Sequence, residues 1–102
     1  MPSLRVQIVR FVDDEPQPGI VESQFRDAHG KVHSIIDKVP GFTNAVLWSD
    51  SEYPQPGFIE CSVLERMSGP DGNLARISIE PYHYEWTNER PEFVIREADL
   101  AD

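Results

Sequence analysis

Apolar and polar side chains alternate along much of this chain in short runs, which is the signature of half-buried β-strands. The opening run "LRVQI" puts Leu4, Val6 and Ile8 on one face. It continues through Val9 and Phe11, where the alternation slips and predicts a bulge. Val21, Ser23 and Phe25 share a face opposite Glu22, Gln24 and Arg26. Ile59, Cys61 and Val63 do the same against Glu60 and Ser62. Ala75, Ile77 and Ile79 oppose Arg76, Ser78 and Glu80, and "EFVIRE" turns Phe93 and Ile95 inward. No long amphipathic helix is visible. One helical turn is expected near residues 45–48, after a Pro40-Gly41 turn. The pattern predicts an all-β domain of six strands, an antiparallel barrel or half-open roll.

Two of these strands open in the same way. "EPQPGIVES" begins at Glu15, and "YPQPGFIEC" begins at Tyr53, 38 positions later. Ile20, Val21, Glu22, Ser23 and Phe25 align with Phe58, Ile59, Glu60, Cys61 and Val63. Proline removes amide donors and holds the chain extended, and glycine lets it swing into the strand. Each copy then reaches a turn and a second strand-like segment, the first of these carrying His33 and Asp37. In "RDAHGK", Asp27 and Gly30 have the spacing of a type I turn closed by a glycine bulge. In "SGPDGN", a longer turn is expected, with Pro70 and Asp71 preset for it and Gly72 closing it. The expectation is two similar hairpins, with Gly19 and Gly57 in the same backbone conformation. A free proline-rich ligand motif fits less well, because the flanking strands leave little unpaired chain.

Composition supports this outline. The 102 residues are the size of one domain, expected to span 1–102 with a short acidic C-terminal tail. Ile and Val number 17 against 10 for Leu and Ala, which favours a pleated surface. The net charge is −9, and residues 80–102 hold seven acids against two bases. Such a surface repels phosphate backbones, so nucleic acid is an unlikely partner and a basic protein a more natural one. The lone cysteine, Cys61, allows no intrachain disulfide and fits a cytoplasmic setting. The longest uncharged stretch, residues 39–49, is too short to cross a membrane.

The segment "DAHGKVHSIIDKVPGFT" (residues 27–43), with "YPQPG" and "CSVLE" downstream, resembles a group of small uncharacterised bacterial proteins. Those share an Asp-x-x-Gly-x-x-His turn, an Asp-Lys-Val-Pro run and a Tyr-Pro hairpin start. The likeness covers about half the chain, residues 27–65. It implies a bacterial source and a compact β fold, and carries no known activity.

Candidate chemistry is sparse. His29 and His33 flank the first turn, and are expected to be exposed on the turn and on a strand face. Asp37 shares a face with His33, but residues four apart on a strand lie roughly 13 Å apart. One metal ion would need a third element folding back, so no metal or other cofactor is expected. Cys61 is expected to be a buried, unreactive small side chain, matched in size by Ser23 in the first copy. Glu22 and Glu60 occupy equivalent outward positions, which ordinary solvation explains. In "PYHYEW", Tyr82, Tyr84 and Trp86 share a face, and Pro81 is expected to reset the register and turn them core-ward. The competing reading leaves them exposed as a contact surface, with Glu85 and Glu89 as acidic neighbours. The reading is therefore a non-enzymatic binding domain that contacts another protein. The alternative is a small hydrolase-like or metal-dependent enzyme using His33, Asp37 and His83.

Overall fold

The computed structural model describes residues 2–15, 19–79 and 92–101. Within them the chain forms eight strands, β1 (Ser3–Asp13), β2 (Ile20–Arg26), β3 (Val32–Lys38), β4 (Gln55–Glu60), β5 (Ser62–Gly69), β6 (Gly72–Ser78), β7 (Glu92–Arg96) and β8 (Leu100–Ala101). Helix in the described residues is confined to two 3-10 turns, Val39–Gly41 and Glu97–Asp99. Residues 45–48, where a helical turn is expected, are not helical.

The strands make two antiparallel sheets. The larger runs β3-β2-β1-β4, with β8 also against β1; the smaller runs β5-β6-β7. Among the described residues neither sheet closes on itself. The expected six strands become eight because one run is split and one short strand escapes the pattern. The run from Phe58 to Val63 does alternate without interruption, yet it breaks at Cys61. Its first half, β4, pairs with β1, and its second half, β5, pairs with β6. The 3-10 turn at Glu97–Asp99 makes the return crossing from β7 to β8. At the first corner the Cys61 amide donates to the Pro2 carbonyl at 3.1 Å, extending the β1–β4 ladder by one bond.

β1 is the hub of the larger sheet. Residues Ser3 to Ile8 pair with β4 along one edge. The other edge is shared, with β8 holding Ser3 and Leu4 and β2 holding Gln7 to Asp13. Arg5 and Val6 lie between those two partners. The β1–β2 register shifts between Ile8 and Arg10, as the slip at Val9 predicts, and again between Phe11 and Asp13.

Inward side chains from both sheets meet in one core, including Leu4, Ile8, Val21, Ile35, Ile59, Cys61, Ile77 and Ile95, with Val39, Phe42 and Leu47 from the long connection. Full burial of one such aliphatic side chain stabilises the fold by roughly 1.5–3 kcal/mol. Val21, Ser23 and Phe25 are buried, as are Ile59 and Cys61, so the two copies do face the same way. Their hinges differ. Gly19 has φ +117°, whereas Gly57 is not in the positive-φ region and lies within β4 opposite Val6. The second turn is also shorter than expected: Gly69 pairs with Gly72, leaving only Pro70 and Asp71 as the loop.

Candidate binding cleft on the outer face of the larger sheet

Because Leu4, Val6 and Ile8 point inward, Arg5 and Gln7 must point out, as must Gln24 and Arg26 on β2 and Pro56 and Phe58 on β4. Strand register then sorts these side chains into rows. Ser34, Gln24, Gln7 and Pro56 form one row across four strands. In the next, Val32 pairs with Arg26 and Arg5 pairs with Phe58. Continuing the β1–β2 register by two steps from Gln7 and Gln24 would set Arg5 directly opposite Arg26. Like charges so placed destabilise a sheet by roughly 0.2–1 kcal/mol. The ladder ends at Gln7 and Gln24, one pair short of Val6 and Phe25.

Where β1 and β2 part, a cleft of about 620 Å³ opens. Val6 and Phe25 lie at its floor, Val32, Phe58 and Pro56 line its walls, and Arg5, Arg26, Arg96 and Asp99 stand around it. Arg96 comes from the end of β7 and Asp99 from the crossing between β7 and β8. Among the described residues each guanidinium has a single acceptor. Arg5 donates to the Ala98 carbonyl at 3.2 Å, Arg26 to the Gly30 carbonyl at 3.0 Å, and Arg96 to the Asp99 carboxylate at 3.3 Å. A guanidinium has five N–H donors, so most of these are unused by the described residues. Phe58 is 47% exposed, a large apolar surface beside a charged rim.

Arg10, Arg66 and Arg76, away from the cleft, are each paired with a glutamate. Arg10 pairs with Glu22, whose carboxyl burial pushes upward while hydrogen bonds from Arg10 and Ser34 more than offset it, leaving it below its ordinary value. Glu92 pairs with Arg76 and Glu97 with Arg66, so the described acids of the C-terminal region are tied to cations of the fold.

The residues singled out by sequence fall in several places. Tyr82, His83, Tyr84, Glu85, Trp86 and Glu89 lie outside the described residues. His29 is exposed, as expected. His33 is not: it is 5% exposed, with its ring 5.3 Å from that of Phe25 and 4.7 Å from that of Phe93. Its Nε2 lies 2.7 Å from the Asp27 carboxylate. Asp27 also accepts the amides of His29 and Lys31, at 2.8 and 3.0 Å. Burial raises the Asp27 pKa, but these hydrogen bonds outweigh it and hold the carboxyl below its ordinary value of 3.8. The His33 side chain therefore locks the first turn onto β7, beside a 2.8 Å bond from the Ala28 amide to the Val94 carbonyl.

Asp37 is buried on the same face and accepts the Lys38 amide at 2.7 Å. Burial pushes the Cys61 thiol up, and its Sγ lies 3.7 Å from the Pro2 carbonyl. Glu22 and Glu60 are kept apart by β1, since they pair with Arg10 and Ser3 at opposite ends of that strand. No group of three or more His, Cys, Asp or Glu side chains among the described residues is placed to hold a metal ion. None of their helices is long and apolar enough to cross a membrane.

The cleft arginines and Phe58 were not distinguished by sequence, where each reads as one more outward residue. The available signal was the hairpin register across the first PQPG loop, which, continued two steps past Gln7 and Gln24, points Arg5 and Arg26 towards one place. No family model, curated protein or solved structure matches this chain.

Proposed function

We propose that this chain is a non-enzymatic binding domain that contacts another protein through the cleft between β1 and β2. The observation that carries the reading is the pairing of an apolar floor and an exposed Phe58 with Arg5 and Arg26, which among the described residues meet only backbone carbonyls, and with Arg96, which is paired to Asp99. Exposed aromatic and arginine side chains around a concave patch are the usual anchors of protein interfaces. The alternative, an enzyme using His33, Asp37 and His83, has less support, because His33 is sealed between Phe25 and Phe93 and faces Asp27.

The same reading places the domain in the bacterial cytoplasm, on the single cysteine and the resemblance of residues 27–65. It takes the two sheets as a half-open roll. A basic partner remains compatible with the net charge of −9 at long range.

In-cell photocrosslinking tests the proposal, with a photoreactive phenylalanine analogue at position 58 and, as control, at the exposed Val46. A discrete protein adduct from position 58 and none from position 46 is expected. Adducts from 46 alone, or from neither position, would overturn it.

A further inference from the structure

Resting on that contact surface, we infer that the cleft takes a short acidic segment of the partner, with neighbouring carboxylates on the arginines and an apolar side chain on the floor. Local and global charge have opposite signs here. The protein carries −9 overall, yet Arg5, Arg26 and Arg96 stand around one cleft with Asp99 as the single carboxylate lining it among the described residues. At physiological ionic strength charges beyond about 8 Å are largely screened. A compact anion in the cleft therefore feels the arginines more than the distant acids. An extended polyphosphate would run out over acidic surface and be repelled, which argues against nucleic acid.

The donor set points to carboxylates on a peptide. Guanidinium forks bind carboxylates in bidentate fashion, and three of them suit more than one acid group. In the adjoining row Gln7 and Gln24 present side-chain amides, which both donate and accept and so match a peptide backbone. Gln24 already donates to Ser34 at 3.2 Å, which fixes its orientation. Val6 and Phe25 below, with Phe58 at the wall, offer an apolar seat that a bare inorganic anion would not use. Arg5 and Arg26 both line this one cleft, so an anion seated in it lowers the repulsion between them.

The test uses the full chain, isotope-labelled, titrated with an acetylated, amidated peptide of alternating glutamate and leucine. A lysine–leucine peptide, a thymidine oligonucleotide and inorganic phosphate serve as the other arms. The acidic peptide is expected to saturate the protein and to shift the Nε–Hε signals of Arg5, Arg26 and Arg96 and the side-chain amides of Gln7 and Gln24. Raising salt should weaken it, and the Arg5→Gln, Arg26→Gln double variant should lose at least tenfold in affinity with an unchanged melt. Arg26→Lys keeps the charge but not the fork, and should lose less.

Tighter binding of the lysine peptide, or equal binding of phosphate or the oligonucleotide, would overturn the inference. So would no shift at the three arginines with the acidic peptide. In any of those cases adducts from position 58 would still leave the contact surface standing, which separates the two claims.

Discussion

The two PQPG segments share their letters, and the strands after them share a buried face, but they occupy different places in the sheet. Gly19, at φ +117°, is a corner that delivers the chain into β2, a strand paired on both edges. Gly57 lies inside β4, in ladder with Val6, and the corner comes later, at Cys61. Ile20 is buried, whereas its counterpart Phe58 is exposed at the cleft. A repeated sequence can thus specify which face of a strand is apolar without specifying which edges it pairs. Facing follows from local alternation, and pairing follows from what the rest of the chain leaves open.

The sharpest way to break this comparison is Gly19→Val. A Cβ there would stand 2.7 Å from the Phe11 ring, on a backbone that branched side chains avoid. The expected loss is about 3 kcal/mol, read from the urea midpoint. A loss no larger than for the same substitution at Gly57 would mean the two glycines are equivalent after all.

Asp27→Ala comes next, at about 2 kcal/mol, because one carboxylate serves two amides and His33. Asp71→Ala, in the two-residue second loop, should leave the melt unchanged. The Asp27 effect also has a pH signature. Its carboxyl is held below 3.8, so its contribution is complete above that value and fades as pH falls further. The gap in melting temperature between the native protein and Asp27→Ala should therefore narrow from pH 5 to pH 3. A gap that stayed constant would remove the charge from the explanation.

Gly57→Ala should cost about 1 kcal/mol, by crowding alone, since its Cβ would sit 3.1 Å from Ile8 and from the Phe42 carbonyl. The smallest effect is at the matched pair Ser23 and Cys61. The Ser23 hydroxyl is buried without a hydrogen-bond partner among the described residues. Ser23→Cys should stabilise by up to ~1 kcal/mol, and Cys61→Ser should destabilise by a similar amount. Opposite signs, measured by thermal melts, would sharpen the equivalence of the two positions; equal signs would end it.

Much of the sheet was legible in the sequence because alternation is a local signal. Leu4, Val6 and Ile8, the slip at Val9 and the Asp27–Gly30 turn all emerge as read. The break at Cys61 was not legible, since Ile59, Cys61 and Val63 keep perfect alternation through it. Only the competition between β1 and β6 for that segment cuts it in two.

His33 was misplaced for a related reason. In β3 the face of His33, Ile35 and Asp37 is no more apolar than that of Val32, Ser34 and Ile36. Asp27, Phe25 and Phe93 decide which one turns inward, and none of them is a neighbour in sequence. The cleft was illegible for the same cause, since an arginine becomes part of a site only once register supplies its companions.

The pairing of Leu4 with Leu100 sets an order of events for folding. Ser3 and Leu4 of β1 have one edge completed only by β8, the latest of these eight strands to be synthesised. A nearly chain-long loop must close before that ladder forms, and closure entropy is lost before its hydrogen bonds are gained. Folding of such a topology is limited by long-range search, in the millisecond-to-second range of β domains. Until then the backbone of Ser3 and Leu4 offers an unpaired edge to any passing strand, so the interval before β8 docks is when the nascent chain is most exposed to misassembly.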